Sequence, residues 1–249
     1  IMEFGTEFLI ILSIILFFSA LVQGSIGFGF PLISTPLLAM ITDMKTAVLY
    51  VVIPTLLINV ISLFSEGNII SAFKRFYPLA LMAMIGSAIG TQILIYSSSE
   101  FFKLLLAISI FFYLFIQNFK FEMKWVNEKP TFSIIFFGLV AGIIGGLTNV
   151  MSMILIIYSL EAKHTRKEVI QSANFCFLFG KLVQVIIFSI HGSFTQEVLN
   201  SSLLSLMVVA VAVVIGIRIK NKIPQDNYNK IIKAFLFLMA IALVYQTLF

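Results

Sequence analysis

The run Phe8–Thr42, FLIILSIILFFSALVQGSIGFGFPLISTPLLAMIT, holds 35 consecutive residues without Asp, Glu, Lys or Arg. A helix needs roughly 20 apolar residues to cross the hydrocarbon core of a bilayer. The run exceeds one crossing, and it is interrupted at Gln23-Gly24-Ser25-Ile26-Gly27-Phe28-Gly29-Phe30-Pro31. Glycine opens backbone angles that other residues avoid, and proline suits the first turn of a new helix. The stretch therefore reads as a helix, a glycine-rich break and a second helix folded back as a hairpin.

The rest of the chain repeats this charge-free character. Gaps of 20, 24, 31 and 20 residues separate Lys45 from Glu66, Arg75 from Glu100, Lys129 from Glu161 and Glu197 from Arg218. Only 11% of the 249 residues are charged and 60% are hydrophobic, against about 25% charged in soluble domains. The runs are continuously apolar, whereas a β-barrel would alternate in segments of about 10 residues. The expected class is an all-α polytopic membrane protein in the lipid bilayer. The acidic N-terminus, with Glu3 and Glu7, does not read as a cleavable signal peptide. Cys176 lies in an apolar run, so no disulfide framework is expected. The net charge of +5 belongs to cytoplasmic loops and not to a nucleic-acid surface.

Ten apolar segments are expected, at about 6–25, 29–42, 45–65, 75–95, 101–119, 131–145, 147–160, 167–190, 198–218 and 230–248. Lysine and arginine gather in four loops: 66–75 (Lys74, Arg75), 119–130 (Lys120, Lys124, Lys129), 161–168 (Lys163, Arg166, Lys167) and 218–233 (Arg218, Lys220, Lys222, Lys230, Lys233). The positive-inside rule makes these cytoplasmic and sets both termini outside. Segments 6–25 and 29–42 must then enter and return as one hairpin, and 131–145 and 147–160 as a second, entered from the other side. Each half becomes a glycine-tipped, re-entrant-like hairpin plus three transmembrane helices. The expected layout is a first repeat over 1–119, a cytoplasmic linker over 120–130 and an inverted second repeat over 131–249. Segments 131–145 and 147–160, about 14 residues each, are too short to cross.

Short internal matches support a duplication. Gly24-x-x-Gly27 matches Gly142-x-x-Gly145 at a shift of 118, Gly67 matches Gly192 at 125, and Gly90 matches Gly216 at 126. The run Lys103–Ala107 matches Lys230–Ala234 at 127. Inverted repeats with substrate sites at broken helices near the midplane are a transporter pattern.

The second tip reads Gly142-Ile143-Ile144-Gly145-Gly146-Leu147-Thr148-Asn149. A broken helix presents free N–H groups and a positive dipole end, which suits an anion. The candidate substrate-binding residues at the tips are Gln23, Gly24, Gly27, Phe28 and Gly29 in the first and Gly145, Gly146, Thr148 and Asn149 in the second. The same glycines could instead serve close helix packing. Segment 167–190 sets Gln171, Asn174, Lys181 and Gln184 on one helical face. Lysine at mid-span costs about 2.5–3.5 kcal/mol to insert and marks a functional candidate. With carboxylates only at the ends of the spans (Glu7, Glu168) and none in their interior, Lys181 fits an anionic substrate or a proton carrier, the alternative being a buried pair with a loop-end carboxylate. Asn59 follows Pro54 on segment 45–65, beside Thr55 and Ser62, and aligns with Gln184 at a shift of 125. Asn59, Asn174, Lys181 and Gln184 complete the candidate set. Tyr50 reads as packing and Arg218 as snorkelling. His164 and His191 are too far apart in sequence to suggest a metal site. No nucleophile elbow, nucleotide-binding loop or carboxylate pair is present, so no enzyme activity and no cofactor are expected, and uphill transport would draw on an ion gradient.

On these residues the chain resembles the TauE/SafE transporters. The likeness rests on Gly24–Leu32 running through Pro36-Leu37-Leu38, on Glu66-Gly67-Asn68 and on the Gly86/Gly90 spacing. It departs at Leu147-Thr148-Asn149, where more glycine and a proline would be typical. The resemblance implies a cell-membrane exporter of small sulfur-containing anions, such as sulfite or organosulfonates, coupled to protons. Alternating access would proceed by rocking one repeat against the other. An importer or channel for another small anion, such as a carboxylate, is the alternative within transport. A membrane-embedded receptor or enzyme subunit is the alternative of another class. Either a monomer or a homodimer is compatible with the sequence.

Overall fold

The computed structural model of the chain describes residues 6–97, 99–116, 123–220, 234, 237–238 and 240–247. These residues form helices, with no strand among them: α1 (Thr6–Ile26), α2 (Phe30–Ala39), α3 (Met44–Glu66), α4 (Ile69–Tyr96), α5 (Ser99–Ile116), α6 (Lys124–Glu128), α7 (Pro130–Thr148), α8 (Ser152–Glu161), α9 (Arg166–Ile190) and α10 (Gln196–Ile219). Residues 240–247 are also helical. The loop lysines Lys120, Lys222, Lys230 and Lys233, residues 120–122 of the expected linker and the 230–233 part of the internal match lie outside the described residues.

Among the described residues six helices are long and apolar enough to cross a membrane: α1, α3, α4, α7, α9 and α10. Their outer faces carry large apolar side chains. On α1, Ile10 and Ile14 are exposed while Leu12 and Leu16 are buried. Such a surface requires lipid and not water around it. The chain is a multi-pass membrane protein.

Helix starts follow local chemistry. Asp43 accepts from Thr46 N–H to cap α3. Thr165 and Glu168 form a reciprocal capping box on α9, and Thr195 caps α10. α3 ends at Gly67 (φ 67°), and Asn68, also left-handed, starts α4.

Side-chain contacts sort the helix ends into two sets. Arg75 pairs with Glu168, Lys220 with Glu66, and Glu161 accepts from the Met123 N–H. Tyr96 meets His191 at 3.0 Å, and Gln246 donates to the Met40 carbonyl. The first set holds the Lys- and Arg-rich loops; the second holds the loops poor in them.

Glycine decides how the helices pack. A Cβ on Gly24 would stand 2.3 Å from the Val213 carbonyl oxygen, and one on Gly216 2.3 Å from that of Leu21. Likewise a Cβ on Gly90 would meet the Ile143 oxygen at 2.3 Å, and one on Gly146 the Ser87 oxygen at 2.7 Å. Helix pairs α1–α10 and α4–α7 thus touch backbone to backbone. One buried cluster joins the α1–α2 hairpin to α10, α5 and much of α3. The other joins the α7–α8 hairpin to α6 and the N-terminal parts of α4 and α9.

The second hairpin breaks later than expected. α7 runs unbroken through Gly142, Gly145 and Gly146 and ends at Thr148, with Asn149 in the left-handed conformation (φ 67°). α4 leaves no room for a side chain at Gly142 and Gly146, and Met151 leaves none at Gly145. α7, at 19 residues, is span-length, so the expectation that both limbs are too short is corrected. Only the return limb α8, of 10 residues, is short, about 15 Å against a core of about 30 Å. α2 is also 10 residues long, and the helix break before it falls at Gly27-Phe28-Gly29.

Candidate functional site

The first break is held by amide side chains. Gln23 lies near the end of α1, and its Oε1 accepts from Phe30 N–H at 2.9 Å, capping α2. Its Nε2 donates to Asn174 Oδ1 at 3.1 Å, Gly27 O at 3.3 Å and Ser62 Oγ at 3.4 Å. Asn174, on α9, donates to the carbonyls of Gly27 (2.8 Å) and Ile170 (2.7 Å). Gly27 and Gly29 hold φ of 101° and 117°, conformations that suit glycine. Phe28 between them is half-buried. Gly24 faces α10 and not the break.

The second break meets the cation. Lys181 donates to Asn149 Oδ1 and to Gln184 Oε1. Gln184 Nε2 donates to Gly146 O at 3.2 Å, and Asn149 Nδ2 to Thr35 Oγ1 of α2 at 2.8 Å. The two hairpins therefore touch through Asn149 and Thr35. Thr148 turns inward, donating to Ile144 O at 2.8 Å. Gly145 faces Met151, and Gly146 faces α4.

α9 links the two breaks, because Asn174 and Lys181 lie seven residues apart on one face, roughly 10 Å along the axis. Gln171, one turn further back, donates to Gly67 O at 2.8 Å and ties α9 to the α3–α4 turn. Among the described residues no carboxylate pairs with Lys181. The whole group is sealed: Lys181 and Gln184 are 0% exposed, Asn174 1% and Gln23 2%. Asn59 is buried with its Nδ2 unpartnered.

Thr35 and Ser152 join this setting without having been singled out in the sequence. Each is a hydroxyl in a short helix behind a break, and other hydroxyls in the same helices left neither of them distinct in the sequence. No cluster of metal-ligating side chains occurs among the described residues. His164 lies outside the spans, against the rings of Phe76 and Tyr158. Burial, and secondarily Arg75, hold its pKa below the usual value.

The arrangement is a closed polar core around Lys181, between two broken helices, inside a lipid-facing helical shell. No curated protein and no solved structure matches the chain. The profile of the family described as Sulfite exporter TauE/SafE matches residues 12–243. That match spans nearly the whole chain, both hairpins included, and the chain belongs to the sulfite exporter TauE/SafE family.

Proposed function

We propose that the chain is a secondary exporter of small sulfur-containing anions, sulfite or organosulfonates, working by alternating access and coupled to protons. The observation that carries this reading is Lys181, a fully buried cation with amide partners and, among the described residues, no carboxylate. An uncompensated buried charge is costly, and an anionic substrate would offset that cost. Substrate would lie between the breaks, among Gly27, Phe28 and Gly29 on one side and Thr148 and Asn149 on the other. Gln23, Asn59, Asn174, Lys181 and Gln184 would surround it. Gly24, Gly145 and Gly146 would contribute by letting helices approach closely.

Two inverted repeats, over 1–119 and 131–249, would underlie the transport cycle. Several observations support this. α2 and α8 have equal length, with both bounds offset by 122 residues. Gly27 and Asn149, at the same offset, both have positive φ. The Gly24–Gly216 contact has its counterpart in Gly146–Gly90, which equates Gly24 with Gly146 in place of Gly142. Asn59 then corresponds to Lys181 and Ser62 to Gln184. The moving bodies would be the α1–α2 hairpin with α10 and the α7–α8 hairpin with α4, because those helices share the backbone contacts. This division replaces rocking of one sequence half against the other. The Lys- and Arg-rich set of helix ends would face the cytoplasm, in a cell membrane with both termini outside.

The test is charge movement in proteoliposomes on rapid addition of sulfite, sulfate, a short sulfonate, acetate and chloride, for wild type and Lys181→Ala. Currents specific to sulfur anions that disappear in the variant support the reading. Equal currents in both remove Lys181 from the site. A current that reverses with an imposed pH gradient supports proton coupling.

A further inference from the structure

The two helix starts that face the core are not equivalent. At α2 the first N–H, that of Phe30, is already given to Gln23 Oε1, and the amide of Gln23 is spent on Gly27, Ser62 and Asn174. At α8 the N-cap is Met151, whose side chain makes no capping bond. Ser152, on the first turn of α8, is 0% exposed, and its hydroxyl has no hydrogen-bond partner. A buried hydroxyl without a partner is a costly exception and calls for a ligand or other explanation.

Lys181 belongs to the same place. It donates to Asn149, three residues before Ser152, and to Gln184, which leaves one of its three ammonium hydrogens unspent. Met151 presses α8 against α9 next to Lys181: a Cβ on Gly180 would stand 2.9 Å from Met151 Cε. Through Asn149 the Lys181 ammonium, which has no carboxylate partner among the described residues, is held at the break that precedes the positive end of α8. Like charges so arranged repel, and a bound anion converts the repulsion into attraction on both sides.

Resting on the exporter reading above, we propose that the anion is bound on one side of the core only, at the N-terminal turn of α8, with Ser152 as a ligand beside Lys181. α2, closed by Gln23, serves as scaffold. The donors are of three kinds: the Ser152 hydroxyl, backbone N–H groups of the α8 first turn and the Lys181 ammonium. They match a group with three oxygens sharing the negative charge, as in sulfite and sulfonates, better than the two of a carboxylate or a monatomic halide.

The experiment is the concentration dependence of sulfite- and sulfonate-evoked currents in proteoliposomes containing wild type, Ser152→Ala, Ser152→Thr and Ser34→Ala. Ser34 is a buried hydroxyl on α2 already bonded to Phe30 O at 2.8 Å, and it serves as control. Ser152→Ala is expected to raise the half-saturating concentration about tenfold. Ser152→Thr, which keeps the hydroxyl, is expected to shift it less than Ser152→Ala does, and Ser34→Ala leaves it unchanged. Wild-type sulfite currents with an unshifted Ser152→Ala overturn the inference and leave the exporter reading standing. Wild type silent in both current and flux toward every sulfur anion overturns both. If Ser152→Ala is not recovered folded, Ser152→Cys replaces it, since a thiol keeps the volume but donates weakly. The same shift is expected there, and its absence overturns the inference.

Discussion

Lys181 donates to Asn149, so the buried cation is held by the residue at which α7 ends in the left-handed conformation. Charge and helix break form one unit, and neither can shift without the other. Replacing Lys181 by Met keeps the side-chain length and removes the charge. Thermal unfolding in detergent is expected to reveal a variant as stable as wild type, or more stable by about 1–4 kcal/mol, whose sulfite currents are at background. A large loss of stability would instead mark Lys181 as a structural tie.

Gly216→Ala sets a methyl 2.3 Å from the Leu21 carbonyl oxygen and 2.9 Å from Gly24 Cα. Backbone cannot rotate away as a side chain can, so α1 and α10 must separate. A loss of about 1–3 kcal/mol is expected, read as a lower Tm. Gly90→Ala should cost about as much, since its methyl meets the Ile143 oxygen at the same 2.3 Å.

His164 supplies a pH dependence of stability. Its folded-state pKa lies below the ordinary value because of burial, then Arg75. The unfolded chain therefore binds the proton more readily than the folded one. Stability is complete above about pH 6.5 and falls as pH drops from there through the lowered folded value. Tm measured between pH 5 and 8 should decline on the acid side, and His164→Phe should flatten that decline.

The two sets of helix ends predict sidedness. Lys74, beside Arg75, and Gln246, which reaches Met40, are both exposed. Cysteine at position 74 should react with an impermeant thiol reagent only from the cytoplasm, and cysteine at 246 only from outside. The native Cys176 is buried and should stay silent.

The sequence made the spans legible because charge is excluded from them over long runs, and the first break because Gly27, Gly29 and Pro31 agree. It also brought Asn174, Lys181 and Gln184 onto one face, as α9 has them. The second break was misread by three residues. Glycine signals both a turn and a close contact, and at Gly142, Gly145 and Gly146 the contact prevails, while Asn149 takes the left-handed angle. Gln23 looks like a ligand-binding amide but spends its oxygen on Phe30. Ser152 gave no local signal, because an unpartnered hydroxyl exists only in three dimensions.

The backbone contacts of Gly24 with Gly216 and of Gly90 with Gly146 join helices encoded in opposite halves of the chain. A polypeptide severed between Ile116 and Met123 would consequently yield two fragments that each lack the partner of their own hairpin. Neither could bury its glycine stripe alone. Co-expressed, they would have to exchange helices to recover a folded protein, so assembly must wait until α10 has been synthesised, although α1 enters the membrane first.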